Sequence, residues 1–422
     1  MEGATIDREG EGVAEPTARM VLAALALATV GMVATRVPVW RPSAFDFDEV
    51  GYLETIAAYR FPMHHTLFLA AARAVGEWVG NSYRGFLILD MAVSALALVG
   101  VWWWLRALVR PATAAAATLV LGSAPVFWSY GAMAGNYTAI PLVGSILLGL
   151  AVRGARAPRR WHPFAAAAVL AIGTGYRQDI GTFWMPVFLV VLWQHRWLRS
   201  AWAGVLFGAL NLAWALPMLR DVGGWDAYRA ASREFAYNAG YLNSVWNLGV
   251  IDAPVRYAVK GGMALAWTLG PGLLLVPFGL VRLARRPRGV SLGALLALSM
   301  LPALASHLLI HFGVAGYAFH YVPALLALAA LGAGHGAAAP RRLAALAALL
   351  AAVFLLYPTD YDHPGVRGNF DLAFARHTRV ALRTRPPLRD PSSWRTVNSQ
   401  ELPGGGRRAS ARRTSLSEIL AR

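Results

Sequence analysis

Residues 86–110 read FLILDMAVSALALVGVWWWLRALVR. The first twenty are apolar except for Asp90 and Ser94, and two arginines, Arg106 and Arg110, follow at once. A helix needs roughly 20 predominantly apolar residues to cross about 30 Å of hydrocarbon, so this stretch predicts a membrane-spanning helix ending in a basic loop. The same alternation continues along the chain. Further spans are expected at about 19–36, 112–131, 137–152, 162–175, 180–195, 200–219, 258–281, 290–311, 317–335 and 341–357. The expected fold class is therefore all-α: a polytopic membrane protein of about 11 transmembrane helices, with loops and interfacial helices on its outer face. Region 162–195 also permits broken helices. The first span reads as a retained helix, because its apolar stretch is long and no small-residue cleavage site precedes a soluble domain.

Composition agrees. Of the 422 residues, 57% are hydrophobic and 14% charged. Mean hydropathy is +0.46, whereas soluble chains carry about 25% charge. Disorder of the whole chain is excluded. The net charge of +17 does not point to nucleic acid, because the basic residues sit between apolar runs. With no cysteine, disulfides, thiolate metal sites and thiol nucleophiles are excluded.

Orientation follows from the arginines. Arg106 and Arg110, then Arg153, Arg156, Arg159 and Arg160, then Arg196 and Arg199 lie in alternate short loops. Arg282, Arg285, Arg286 and Arg288 continue the series, and Arg341 and Arg342 close it. All fall on one side if the N-terminus is cytoplasmic. The expected organisation is a cytoplasmic tail at 1–18, a transmembrane domain at 19–357 and a polar, disordered tail at 358–422. Segments 37–85, 131–137, 176–179, 220–257 and 312–316 then face outward, with 37–85 and 220–257 the long external loops. Eleven spans put the basic tail outside as well, and long tails obey the charge rule poorly. The localisation this implies is multi-pass in the plasma (inner) membrane, with the chemistry on the outer face.

Four polar groups stand out there. Phe45-Asp46-Phe47-Asp48-Glu49-Val50-Gly51-Tyr52 places three carboxylates within four residues, where they repel and need a cation, an arginine or a substrate to compensate. A solvated loop or a helix N-terminus would also suit them. Tyr52, Ile56 and Tyr59 then share one face of an expected interfacial helix. Phe61-Pro62-Met63-His64-His65-Thr66 carries paired histidines, suited to a proton, a phosphate or a metal. Gly173-Thr174-Gly175-Tyr176-Arg177-Gln178-Asp179 offers an arginine that either clamps a phosphate, or snorkels to the interface or pairs with Asp179. His307, His311, Gly316, Tyr317, His320 and Tyr321 cluster near the outer face. The i, i+4 histidines there have metal-compatible spacing, and an aromatic belt explains the tyrosines equally well. Asp90 is an intramembrane carboxylate expected to reach interfacial water.

Taken together, these features resemble the GT-C superfamily of polytopic glycosyltransferases, in particular bacterial relatives of the protein O-mannosyltransferase and aminoarabinose-transferase families (glycosyltransferase families 39 and 83). The resemblance covers roughly residues 19–357. It rests on Asp48-Glu49 with Tyr52 after the first span, on Pro62-Met63-His64-His65, on Gly173 to Arg177, and on Gly316-Tyr317 followed by Tyr321-Val322-Pro323-Ala324. The second motif keeps a histidine but lacks the family's proline pair.

What the resemblance implies is transfer of a sugar from a polyprenyl-phosphate donor to an acceptor hydroxyl on a glycan, lipid or protein, with inversion. The phosphate leaves as an anion, so the reaction needs a base for the acceptor and cations for the phosphate. Asp48 and Glu49 are the implied catalytic residues, Asp48 as base. Asp46, Tyr52, His64, His65, Arg177, Asp179, Tyr317, His320 and Tyr321 are the implied substrate-binding residues. No resident metal or cofactor is required, although a divalent cation is compatible with the site. A transporter or flippase, and a polymerase or ligase of carrier-lipid-linked glycans, are the alternatives. Neither paired broken helices nor midplane charges, the marks of a transporter, are evident in the sequence.

Overall fold

The computed structural model describes residues 17–36, 52–53, 55–57, 60–133, 135–248, 252–286, 289–334 and 336–356. Asp46, Asp48 and Glu49 lie outside these residues, as do nearly all of the N-terminal tail and the whole of 358–422. The described residues are helical with no β-strand.

Helix α1 runs Ala18–Arg36, α2 Thr66–Val79, α3 Ser82–Leu105, α4 Pro111–Gly122 and α5 Pro125–Tyr130. They are followed by α6 Ala139–Arg156, α7 His162–Tyr176, α8 Gln178–Trp193 and α9 Trp197–Val222. Next come α10 Trp225–Phe235, a π turn at Ala236–Gly240, a 3₁₀ turn at Tyr241–Asn243, and α11 Val245–Leu248. Helix α12 spans Asp252–Leu269, and a 3₁₀ segment Gly270–Leu275 leads into α13 Val276–Ala284. Helix α14 is Gly289–Leu309, a 3₁₀ segment covers Ala315–His320, and α15 Val322–Gly332 and α16 Ala338–Leu356 complete the set. Six helical stretches among the described residues are long and apolar enough to cross a membrane: Ala18–Thr35, Ser82–Leu105, Ala139–Arg156, Trp197–Val222, Ala253–Ala284 and Ser291–Leu309. Pro111–Gly122, Gln178–Trp193 and Val322–Gly332 are shorter apolar helices.

Several boundaries differ from the hydropathy reading. The expected span 112–131 is two helices, because Pro125 lacks the N–H that a continuing helix would use and instead starts α5. The expected span 258–281 starts earlier, at Asp252, and is interrupted at Gly270-Pro271-Gly272, where Gly270 takes φ 52°. The two long outer segments are also more structured than loops. Segment 37–85 contains α2, whose Phe68, Leu69 and Ala72 are buried against α3. Ile56, expected on the interfacial face, is a core residue, as is Leu53. Segment 220–257 contains α10, α11 and the start of α12.

At several places the helices approach to backbone contact. A Cβ on Gly279 of α13 would collide with the Leu328 carbonyl of α15, and one on Gly332 of α15 with the Leu275 carbonyl. Gly85 of α3 meets the backbone of α2 at Ala72 and Gly76 in the same way. Lipid offers little hydrophobic drive between helices, so small residues that let helices touch supply the contact.

The helix ends sort into two sets. Arg153 and Arg156, at the C-terminus of α6, donate to the carbonyls of Trp103 (2.8 Å) and Ala107 (2.6 Å) at the end of α3. Arg282 of α13 donates to Leu331 O (2.8 Å), and Arg342 of α16 to Ala333 O (3.0 Å). These cations satisfy carbonyls that helix C-termini leave without intrahelical partners. The other ends of α3, α6, α7, α8, α14 and α15 carry the polar groups considered next.

Candidate functional site

Arg177 is the hinge of the site. It is the single non-helical residue between α7 and α8, with extended φ −154°, ψ 115°, and its N–H still donates to Gly173 O (2.8 Å). This one-residue break is much tighter than the polar interruption expected over 173–179. The residue is 4% exposed. Its Nε is 2.9 Å from Asp179 Oδ2, and its Nη1 donates to Asn136 Oδ1 at 2.7 Å. The guanidinium carbon lies 3.8 Å from the Tyr137 ring centroid and 5.3 Å from that of Tyr317. Among the described residues, Nη2 makes no hydrogen bond. Of the sequence readings of Arg177, the pairing with Asp179 is therefore observed, and one end of the fork makes no hydrogen bond to a described residue.

Asp179 sits in the first turn of α8, where a carboxylate complements the helix dipole. Its Oδ2 also lies 3.5 Å from His320 Nε2, while its Oδ1 is buried with no partner among the described residues. His320 is fully buried at the end of the 315–320 turn, with Phe183 edge-on at 4.8 Å between centroids. His307 Nδ1 is 2.7 Å from Tyr321 Oη, which ties the end of α14 to the start of α15. His307 Nε2 and His320 Nδ1 are buried without partners among the described residues. Helix α14 ends at Leu309, so His311 lies beyond it and the i, i+4 metal spacing with His307 is not continued on one helix face. Among the described residues no three histidines or carboxylates gather as a metal would need.

The 131–137 connection was the part sequence reading passed over. Asn136 adopts φ 47°, a left-handed conformation that Asn tolerates better than most residues. From there its Oδ1 reaches Arg177 and its Nδ2 donates to Tyr52 Oη at 3.5 Å. The N–H groups of Gly135 and Asn136 donate to Asp90 Oδ2 at 2.8 and 3.3 Å, and Tyr176 Oη donates to Asp90 Oδ1 at 3.4 Å. Asp90 is 0% exposed, so its expected access to interfacial water is not observed. The available sequence signal was an Asn-Tyr pair in a short break between two apolar runs.

The paired histidines dock from the first outer segment. His65 takes φ 55° just before α2, and its N–H donates to Gln178 Oε1 (3.3 Å) while Gln178 Nε2 donates to Met63 O (3.0 Å). Burial, with Arg177 nearby, pushes the His65 imidazole down to about 3, so it is neutral here, and its Nδ1 has no partner among the described residues. Tyr52 packs edge-on to His65 at 5.8 Å. Burial also lowers His64, which packs at 4.4 Å against Phe235 of α10. Phe61 N–H donates to Asp221 Oδ2 (2.7 Å) at the end of α9. Tyr52, His64, His65, Arg177, Asp179, Tyr317, His320 and Tyr321 thus come together at one end of the bundle. Four of the segments expected on one face, 37–85, 131–137, 176–179 and 220–257, are joined there by these contacts.

No protein-family model matches the chain, and no curated protein does. Solved structures do. ArnT from Cupriavidus metallidurans in the apo state is similar at TM-score 0.54 and 16% identity, over 86% of this chain and 69% of that one. The same protein bound to undecaprenyl phosphate is similar at TM-score 0.59 and 16% identity, over 87% and 70%. An Archaeoglobus fulgidus oligosaccharyltransferase in complex with Zn and sulfate aligns at TM-score 0.48 and 12% identity, over 84% of this chain and 52% of that one. The likeness to ArnT shows a shared fold, and the GT-C resemblance holds at that level.

Proposed function

We propose that this chain is a membrane glycosyltransferase that moves a sugar from a polyprenyl-phosphate donor to an acceptor hydroxyl, at the end of the bundle where Arg177 lies. The observation that carries the reading is the state of Arg177. A buried guanidinium is stacked on tyrosine and fixed by two acceptors, with Nη2 left over, in a fold shared with an ArnT captured with undecaprenyl phosphate. Fixed donors in a site shielded from water stabilise a departing phosphate without reorganising, and a planar fork suits two phosphate oxygens. Neutral His65 would add hydrogen bonds rather than charge.

Asp48 is the proposed base that takes the acceptor proton, with Glu49 or Asp46 orienting the acceptor or a divalent cation. The acceptor oxygen forms the new glycosidic bond as the bond from the anomeric carbon to the phosphate oxygen breaks. Attack opposite the phosphate inverts that carbon. Tyr52, Tyr317, Tyr321, His64 and Asp179 would line the sugar and headgroup. The donor lipid stays in the bilayer, and the acceptor is a glycan, lipid or protein. No nucleic acid is involved.

The proposed orientation has the N-terminus cytoplasmic and this end of the bundle outside, in the plasma membrane of a bacterium. Single cysteines at Asn81 and Asn243 in this cysteine-free chain test it. Labelling of both by an impermeant reagent from the outer side is expected, and labelling only from the cytoplasmic side overturns it. The activity itself is tested by titrating purified protein with a short-chain polyprenyl phosphate. Saturable binding that weakens in Arg177→Lys is expected, and no binding at all removes the reading.

A further inference from the structure

Asp90 is the most deeply buried carboxylate among the described residues, and no step of the proposed transfer uses it. A buried charge is costly unless its oxygens are satisfied, so its partners indicate why it is there. One oxygen takes two consecutive backbone N–H groups, from Gly135 (2.8 Å) and Asn136 (3.3 Å). The other takes the hydroxyl of Tyr176, the residue just before Arg177. The turn it grips holds Asn136 at φ 47°, and Asn136 Oδ1 accepts the 2.7 Å bond from Arg177. Asp90 therefore contacts both chain segments that aim the guanidinium, without contacting the guanidinium itself.

We infer that Asp90 is a positioning residue, whose carboxylate sets the Gly135-Asn136 turn so that Asn136 holds Arg177 ready for a lipid-linked phosphate. The ligand class rests on the function proposed above; the positioning itself does not. The chain of contacts makes a graded prediction. Asp90→Asn keeps one oxygen for the two N–H groups, and its amide can still face Tyr176. Asp90→Ala leaves the Gly135 N–H with Met133 O (3.0 Å) alone and takes the carboxylate from the Asn136 N–H, so the left-handed turn loses its support. A misplaced binding group costs far more than its bond alone.

Two measurements test this. The first titrates a short-chain polyprenyl phosphate into wild type, Asp90→Asn, Asp90→Ala, Arg177→Lys and the double variants. Asp90→Ala should weaken binding about tenfold or more, Asp90→Asn less, and Asp90→Ala should cost under about threefold once Arg177→Lys is present, because residues acting as one unit are not additive. Equal losses in both backgrounds overturn the inference. The second follows the Arg177 Nε–H signal by NMR with labelled arginine, assigned by its disappearance in Arg177→Lys. It should exchange slowly in wild type and Asp90→Asn and quickly in Asp90→Ala. Unchanged exchange in Asp90→Ala overturns the inference. If Asp90→Ala does not fold, Asn136→Gly replaces it, since glycine accepts φ 47° while removing the oxygen. Asp90→Asn must then add nothing to Asn136→Gly, and an independent further loss overturns the inference. If wild type binds no polyprenyl phosphate, the transferase reading falls, and the NMR measurement decides the role of Asp90 alone.

Discussion

The Arg177 guanidinium carbon stands 3.8 Å from the centroid of the Tyr137 ring, so the cation is held on an aromatic face while its Nε pairs with Asp179. The stacking needs a planar cation, and the pairing needs a donor on the same plane. Lysine provides neither, which makes Arg177→Lys a different experiment from Arg177→Ala. Removing the cation outright leaves the part-buried Asp179 with only His320 beside it, at a cost of up to about 3–5 kcal/mol. Arg177→Ala should therefore lower the melting temperature sharply, whereas Arg177→Lys should fold and lose donor binding. Paired melting curves and donor titrations separate these effects. Parent-level binding by a folded Arg177→Lys would leave Arg177 a purely structural residue.

Tyr321 and His307 close the α14–α15 hairpin through a 2.7 Å hydrogen bond. Tyr321→Phe keeps the ring and removes the hydroxyl, taking from the buried Nδ1 of His307 its partner, while Nε2 already has none among the described residues. An unsatisfied buried polar group costs about 1–3 kcal/mol. The variant should melt several degrees lower than the parent, and an unchanged melting temperature would mean the bond is not formed.

His65 gives a pH signature. Its folded value is lowered to about 3 from an ordinary 6.5. The unfolded chain thus binds a proton that the folded chain refuses as pH falls below about 6.5, and stability declines from there towards pH 3. The contribution is fully present above pH 6.5. Asn suits the left-handed backbone at this position (φ 55°), so His65→Asn should fold and lose less stability between pH 6.5 and 4 than the parent does. Identical pH–melting profiles would remove His65 as a source of the slope.

The helical spans were legible because about 20 apolar residues can do little else, and the arginine loops were legible because charge stays out of lipid. The break at Pro125 and the one at Gly270-Pro271-Gly272 carried ordinary Pro/Gly signals that averaging over a span conceals. At the site, Arg177, Asp179, Tyr317, His320 and Tyr321 could be named from polar residues interrupting apolar runs. Asn136 and the use of Asp90 could not. Their roles depend on a left-handed turn from residue 136 meeting a carboxylate 46 residues earlier, and no local pattern encodes that meeting. Hydropathy likewise put Asp90 at a depth open to water, because it cannot see the turn that covers it.

The central claim is glycosyl transfer from a lipid phosphate with Asp48 as base. Its most direct test follows release of polyprenyl phosphate from a labelled polyprenyl-phosphate-sugar pool in vesicles holding wild type or Asp48→Asn, alongside donor binding. Asn keeps the shape but cannot take the acceptor proton, and losing a positioned base costs on the order of 10² to 10⁴ in rate. The account predicts acceptor-dependent release by wild type, and a folded Asp48→Asn that binds donor and releases at least about a hundredfold more slowly. Release at the wild-type rate by Asp48→Asn, or none by wild type with any donor in the pool, would contradict it.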